Sequence, residues 1–318
     1  MKNFLSAAIL IAASQIAVLA ADPGLLSLVM PNAKVVAGIQ VDQAKLSPFG
    51  RYVLSHMQPD DAAFQKFVKD TNFDPRRDLT EVVMASSADS NIANHWVVLA
   101  RGTFDAKAIV NAARLNGGTI TQFRGIEILS SSAASKEAGD SVIGFLDHTS
   151  AAMGDADSVK AVIDRYKSSP TAQAALLGKV KDLSAKYDFW FTTLAPISEF
   201  AGVMPDPGLG KALQGNLFQS IQQATGGLKF GPNVLFSMEA VARSDKDASA
   251  LVDVVRFVSE MIQSNRGKNG APSEVSTLVD NLNINSAGNV MTMSLTVPEP
   301  QLERLLESAR TPKQTAKK

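Results

Sequence analysis

The chain contains no cysteine. That absence removes disulfides, thiolate metal sites, thiol nucleophiles and lipid attachment through an N-terminal cysteine. Packing alone must hold the fold together. Histidine is scarce as well: His56, His95 and His148 stand far apart, in no HExxH or HxH arrangement. Neither a GxSxG elbow nor an SxxK motif is present. Two Trp and three Tyr leave few flat faces of the kind sugar-binding modules use. The 31 basic and 31 acidic residues cancel, and no strongly basic patch appears in the body of the chain. The electrostatic footprint of a nucleic-acid binder is therefore missing. Gly208-Leu209-Gly210-Lys211 catches the eye, but a phosphate loop needs glycine where Pro205 stands and Ser or Thr at Ala212. Beyond the first residues, no apolar run approaches the roughly 20 residues of a spanning helix.

What is present begins with an export signal. Lys2 supplies a positive start, Phe4 to Ala13 an apolar run, and Val18-Leu19-Ala20-Ala21 small residues suited to a signal peptidase. Residues 1–21 read as a cleavable signal peptide. A retained anchor is the alternative, disfavoured because Ser14 and Gln15 interrupt a stretch already too short to span. The working protein is expected to be exported, periplasmic or secreted, with no transmembrane segment after cleavage.

An internal repeat is the next signal. VLARGTFDAKAIV at 98–110 aligns with AVARSDKDASALV at 240–252, pairing Ala100 with Ala242, Arg101 with Arg243, Asp105 with Asp247 and Val110 with Val252. A block before it pairs Phe64-Gln65, Thr71, Phe73 and Pro75 with Phe218-Gln219, Thr225, Phe230 and Pro232. A block after it pairs the stripe Val159, Val162, Ile163, Tyr166 with Leu302, Leu305, Leu306, Ala309.

The expected fold is α+β: two related modules from internal duplication, each a mainly antiparallel sheet with helices packed on one face. The first module covers 22–168 and the second 187–311. Residues 169–186 form a linker helix and 312–318 a disordered basic tail. Strands are predicted at Val35 to Val41, Leu79 to Ala85, Trp96 to Ala100, Phe189 to Thr193 and Val234 to Ala242. Amphipathic helices should end near Thr71 and Thr225. Ser244, with Asp247 three residues on, predicts a capped helix, whose face is Ala248, Leu251, Val252, Val255, Val258 and Ile262. Thr103 and Asp105 take the same place in the first copy. A closing hairpin is predicted in each copy; in the first, Val142 to Leu146 and Ala151 to Gly154 flank a turn at Asp147-His148-Thr149. In the second copy, Asn281 to Asn285 pairs with the strand around Met291 and Met293. Phe64, Phe67, Phe218 and Phe257 fall at helix-core spacing, and Trp96 and Trp190 read as core.

No residue is assigned a catalytic, cofactor-binding or metal-ligating role. Asp60, Asp61, Asp155 and Asp157 read as acidic residues at helix starts, where they complement the dipole. Arg76 and Arg77 read as local ion pairs with Asp74 and Asp78, with anion capture as the alternative. AKVVAGIQVDQAKLSPFG, FDPRRDLTEVVMAS and VLARGTFD resemble blocks of a family of exported bacterial proteins of unknown function. The resemblance implies repeated α+β units and brings no site residues with it.

Three functions compete. The first is a non-enzymatic binding or scaffold protein of the periplasm or cell envelope, with an envelope protein as partner. The second is a hydrolase with an unrecognised site, for which His95 near Asp147 or Arg101 is the convergence to seek. The third is a lipid or hydrophobic-ligand carrier, which requires a sizeable apolar cavity between sheet and helices.

Overall fold

In the computed structural model the described residues are 21–55, 62–87, 95–130, 141–169, 171, 173–197, 199, 218–264 and 278–310. His56, Asp60, Asp61, the glycine-rich stretch at 208–211 and the basic tail lie outside them.

The helices are α1 (Pro23–Ser27), α2 (Val41–Leu46), α3 (Pro48–Ser55), α4 (Ala62–Thr71) and α5 (Pro75–Asp78), then α6 (Ala106–Leu115), α7 (Ala156–Ser168), α8 (Ala174–Lys186), α9 (Asp245–Ser264) and α10 (Glu299–Arg310). The first-half strands are β1 (Val35–Gln40), β2 (Leu79–Ser86), β3 (Trp96–Gly102), β4 (Thr119–Phe123), β5 (Ile126–Ser130), β6 (Ser141–Phe145) and β7 (Ser150–Asp155). The second half contributes β8 (Phe189–Thr193), β9 (Ile221–Lys229), β10 (Asn233–Ala242), β11 (Leu282–Ala287) and β12 (Val290–Pro298). All twelve join one antiparallel sheet, in the order β11-β12-β10-β9-β8-β1-β2-β3-β7-β6-β5-β4.

The α+β class and the antiparallel pairing agree with the pattern read from sequence. The expected pair of sheets does not: β1 pairs along its length with β8, fusing the two into one. Outward from that seam, the order β1-β2-β3-β7-β6 is matched by β8-β9-β10-β12-β11. The aligned blocks at 98–110 and 240–252 fall on equivalent junctions, from β3 into α6 and from β10 into α9. Both helices are capped by local oxygens. Asp105 Oδ1 accepts from the Ala108 N–H at 3.0 Å, and Ser244 Oγ from the Asp247 N–H at 3.2 Å. Each satisfies an amide donor the helix itself cannot.

The block pairing Thr71 with Thr225 is not supported. Thr71 ends α4, whereas Thr225 lies inside β9. Gly226 and Gly227 explain the difference. A Cβ on Gly226 would stand 2.4 Å from the Ser237 carbonyl, and one on Gly227 2.5 Å from the Tyr187 ring. Paired glycines disfavour helix and permit this close strand approach.

Helices cover both faces, again unlike the one-sided packing expected. On the first face α1, α7 and α8 bury Val36, Val83, Val97, Leu99, Ala152 and Trp190. Trp190 is fully buried, and Gly38 opposite it on β1 leaves room for the indole. The register places Met293, Met238, Phe191, Met84, Met153 and Leu129 in one row on the second face. There α9 packs through Ala248, Leu251 and Val252 on Ala224, Ala240 and Met291. Near the far edge α6 packs through Ile109 and Val110 on Leu129. Between them Met84 is 52% exposed, and among the described residues no helix covers the middle strands there.

Two sequence expectations fail on this second face. Phe257 is 66% exposed, and Val258 is exposed beside it with Val254 and Met261. Helical spacing was correct, but the second half of α9 extends its apolar stripe into solvent. Phe67 is also exposed, because α4 packs on α6 beside a void rather than over a filled core.

Candidate functional site

The polar residues named as candidates are occupied by structural tasks. His95 Nδ1 lies 3.3 Å from Asp155 Oδ1, not near Asp147 or Arg101. His95 precedes β3 and Arg101 sits at the strand's far end, so roughly 20 Å of extended chain separates them, at ~3.3 Å per residue. Asp155 caps α7, accepting from the Ser158 N–H at 2.9 Å, and also accepts from the Trp96 N–H at 3.1 Å. Burial alone would raise its carboxyl, but the hydrogen bonds from Ser158, Trp96 and His95 outweigh it and hold the group below its ordinary value. A depressed carboxylate stabilises the fold above its unfolded-state pKa and ceases to as pH falls through the folded one. Asp155→Ala is therefore expected to cost about 1 kcal/mol near neutrality, the usual worth of such a cap. The difference from wild type should shrink as pH falls below the ordinary carboxylate range. Urea unfolding of both proteins across that window checks this.

Arg76 and Arg77 form the local pairs expected of them, at 2.7 Å from Asp74 and 2.6 Å from Asp78. These pairs lower both carboxyl pKa values, the arginine hydrogen bond being the largest cause in each. Arg243 pairs with Asp247 at 3.4 Å. Arg101 differs: it reaches Asp22 at 2.5 Å, and also Thr149 and Ser150. Arg101 is thus committed to partners on more than one side, whereas Arg243 keeps more than half of its side chain exposed. His148 is exposed on the hairpin between β6 and β7, as expected. Among the described residues no group of three or more His, Asp or Glu could hold a metal ion.

The open space lies elsewhere. A cavity of about 490 Å³ separates α4 and α6 from β5, β6 and β7 on the second face. Its walls are chiefly Phe67, Ile109, Ala112, Leu129, Ile143 and Met153. The alanines of α6 make the void: a larger residue at 112 or 113 would close it against the sheet. Polar groups collect at one side, where Lys66 pairs with Asp70 at 2.5 Å and its ammonium lies 3.4 Å from Asn116 Oδ1. The Lys66 side chain is well exposed and marks the mouth. A mostly apolar recess with a few polar groups at its entrance is the usual form of a small-molecule site.

A second recess, of about 410 Å³, lies beside α8 on the opposite face. Tyr187, Thr225, Glu239, Asn283, Asn285 and Thr292 line it. Here the sheet turns its polar residues outward, so this is a hydrated flank of the kind antiparallel sheets present to water.

The first cavity was expected of only one of the three readings, the carrier. The sequence marks α6 as amphipathic but does not show that α4 stands clear of the strands. The run Ala106, Ala108, Ala112, Ala113 was the available signal, since small residues on a packing face leave volume to be filled by something else.

No protein-family model matches the chain, and no curated protein matches it. Among solved structures it is similar to one titled "Structure of crystal form I of TP0453", at 13% identity and a TM-score of 0.48. The match covers 91% of this chain and 98% of that one. A likeness at that level carries no inference about function. Among the described residues no helix is long and apolar enough to cross a membrane.

Proposed function

We propose that this chain is an exported, non-enzymatic binding protein of the cell envelope, and that its ligand is an acyl chain held in the cavity between α4, α6 and the sheet. The observation that carries the reading is the cavity itself, about 490 Å³ with a chiefly apolar wall. Water in such a space makes few hydrogen bonds, so an alkyl chain gains from displacing it, by about 0.8 kcal/mol for each methylene buried. The ligand's polar end would meet Lys66 and Asn116 at the mouth. In this reading the two halves are copies of one unit joined at β1 and β8, and the acyl site belongs to the first.

Export enters through residues 1–21, whose composition is that of a cleaved signal. The test is recovery of the protein from the envelope of a bacterium that exports it, followed by solvent extraction and mass spectrometry. A fatty-acyl compound present in stoichiometric amount supports the proposal. Apo protein that co-purifies with one envelope protein instead would favour the scaffold role.

A further inference from the structure

Glu81 is a carboxylate buried against the first face of the sheet, in a row with Gln40 of β1, Arg101 of β3 and Ser150 of β7; Asp188, buried near the same row, is paired with Lys229. It is only 6% exposed. Both its oxygens converge on a single nitrogen, the backbone N–H of Asp22, at 3.2 and 3.1 Å. Arg101, the cation nearest in the ladder, is turned to the Asp22 carboxylate at 2.5 Å and to the hydroxyls of Thr149 and Ser150. Beyond Thr149 the network ends on Asp147, which also accepts from Tyr166. The cluster at Asp22 thus sets two carboxylates against one guanidinium. An amide has one proton to share between two oxygens; an ammonium has three, and the missing charge.

We propose that cleavage after Ala21 makes Asp22 the first residue of the mature protein, and that its α-ammonium forms a buried ion pair with Glu81. The cluster then alternates in sign: ammonium, Glu81, Arg101, Asp22 carboxylate. Asp22 is held at both ends, since its carboxylate also caps α1 by accepting from the Gly24 N–H at 2.6 Å. Hydrolysis of the Ala21–Asp22 peptide bond by signal peptidase consumes one water, leaving a carboxylate on Ala21 and the ammonium on Asp22. Because Ala21 is itself buried, the cut precedes the docking of α1. A cut after Ala20 would put the new charge beside the Ser184 hydroxyl, which accepts from Ala21 N at 3.0 Å, and would leave Glu81 uncompensated. In the uncut chain burial, aided by the Asp22 carboxylate, pushes the Glu81 carboxyl above its ordinary value, against the pull of the Asp22 N–H, Gln40 and Arg101.

This inference rests on the export reading, and one experiment separates the two. The full chain is exported in a bacterial host and the mature protein is weighed intact. Its α-amine is then labelled with an N-hydroxysuccinimide ester at pH 7.5, natively and in urea. A mass beginning at Asp22 is expected. Native labelling should be at least about sevenfold slower than in urea, because an ion pair that raises an α-amino pKa of ~7.8 by one unit lowers the free amine at pH 7.5 by about that factor. Glu81→Gln should restore much of the lost reactivity. The comparison of native and unfolded wild type stands without the variant, should the variant fail to fold. A cut at any other bond, or a native α-amine that labels as fast as the unfolded one, overturns the proposal alone. A mass still including Met1 overturns the export reading with it.

Discussion

Ala113→Trp is expected to weaken binding of a fluorescent fatty-acid probe by at least about tenfold. Ala113 lines the cavity from α6, so an indole there takes the space an acyl chain would use. Losing room for only two methylenes forfeits about 1.6 kcal/mol at ~0.8 kcal/mol each, and 1.4 kcal/mol is already a tenfold change in Kd. Ile143→Glu should be worse, since it sets an unpaired carboxylate in the wall. Leu115→Ser is the control: it ends the same helix, is 87% exposed and does not line the cavity, so affinity should be unchanged. Far-ultraviolet circular dichroism on each variant separates lost binding from lost fold. Equal affinity for Ala113→Trp and wild type would place the probe elsewhere.

The second large effect is on stability. Trp190→Ala should cost about 3–5 kcal/mol, the range for deleting a fully buried large aromatic. Trp190 lies on β8 at the seam with β1, against Gly38. The reverse change, Gly38→Ala, drives a Cβ to 2.4 Å from the indole, and rigid core rings cannot yield that much. Because the seam is continuous sheet, both changes should shift one cooperative urea transition. Two separated transitions would mean that the halves unfold independently and that β1–β8 pairing contributes little.

Much of this architecture is legible in the sequence where the signal is local. The hairpin β11–β12 announces itself by the alternation of its second strand, β6–β7 by two apolar runs around a short turn, and the starts of α6 and α9 by a capping oxygen followed by apolar periodicity. The hairpin β4–β5, not among the expected strands, is equally legible. Thr119 to Phe123 and Ile126 to Ser130 flank Arg124-Gly125, both at positive φ, the conformation a two-residue hairpin turn demands. Glycine after a polar residue between two alternating runs was the clue.

Long-range pairing leaves no such trace. Nothing in Val35–Gln40 names Phe189–Thr193 as its neighbour, so the two modules read as two sheets rather than one. Periodicity likewise shows which side of α9 is apolar but not where the sheet beneath it ends, and Phe257 falls beyond that limit. The cavity is hardest to foresee, because it is defined by what α4 and α6 fail to fill. His95 and Asp155 illustrate the same limit for polar groups: 60 positions apart in sequence, they meet because β3 and β7 are neighbours.

The most direct test is methionine- and isoleucine-methyl NMR of the mature protein, titrated with a medium-chain fatty acid. Saturable shifts at Met153, Ile143 and Ile109, with Met238 and Met293 unmoved, are what an acyl site under α6 requires. Shifts confined to Met261 and its neighbours on α9, or none at concentrations where the acid remains monomeric, would contradict it.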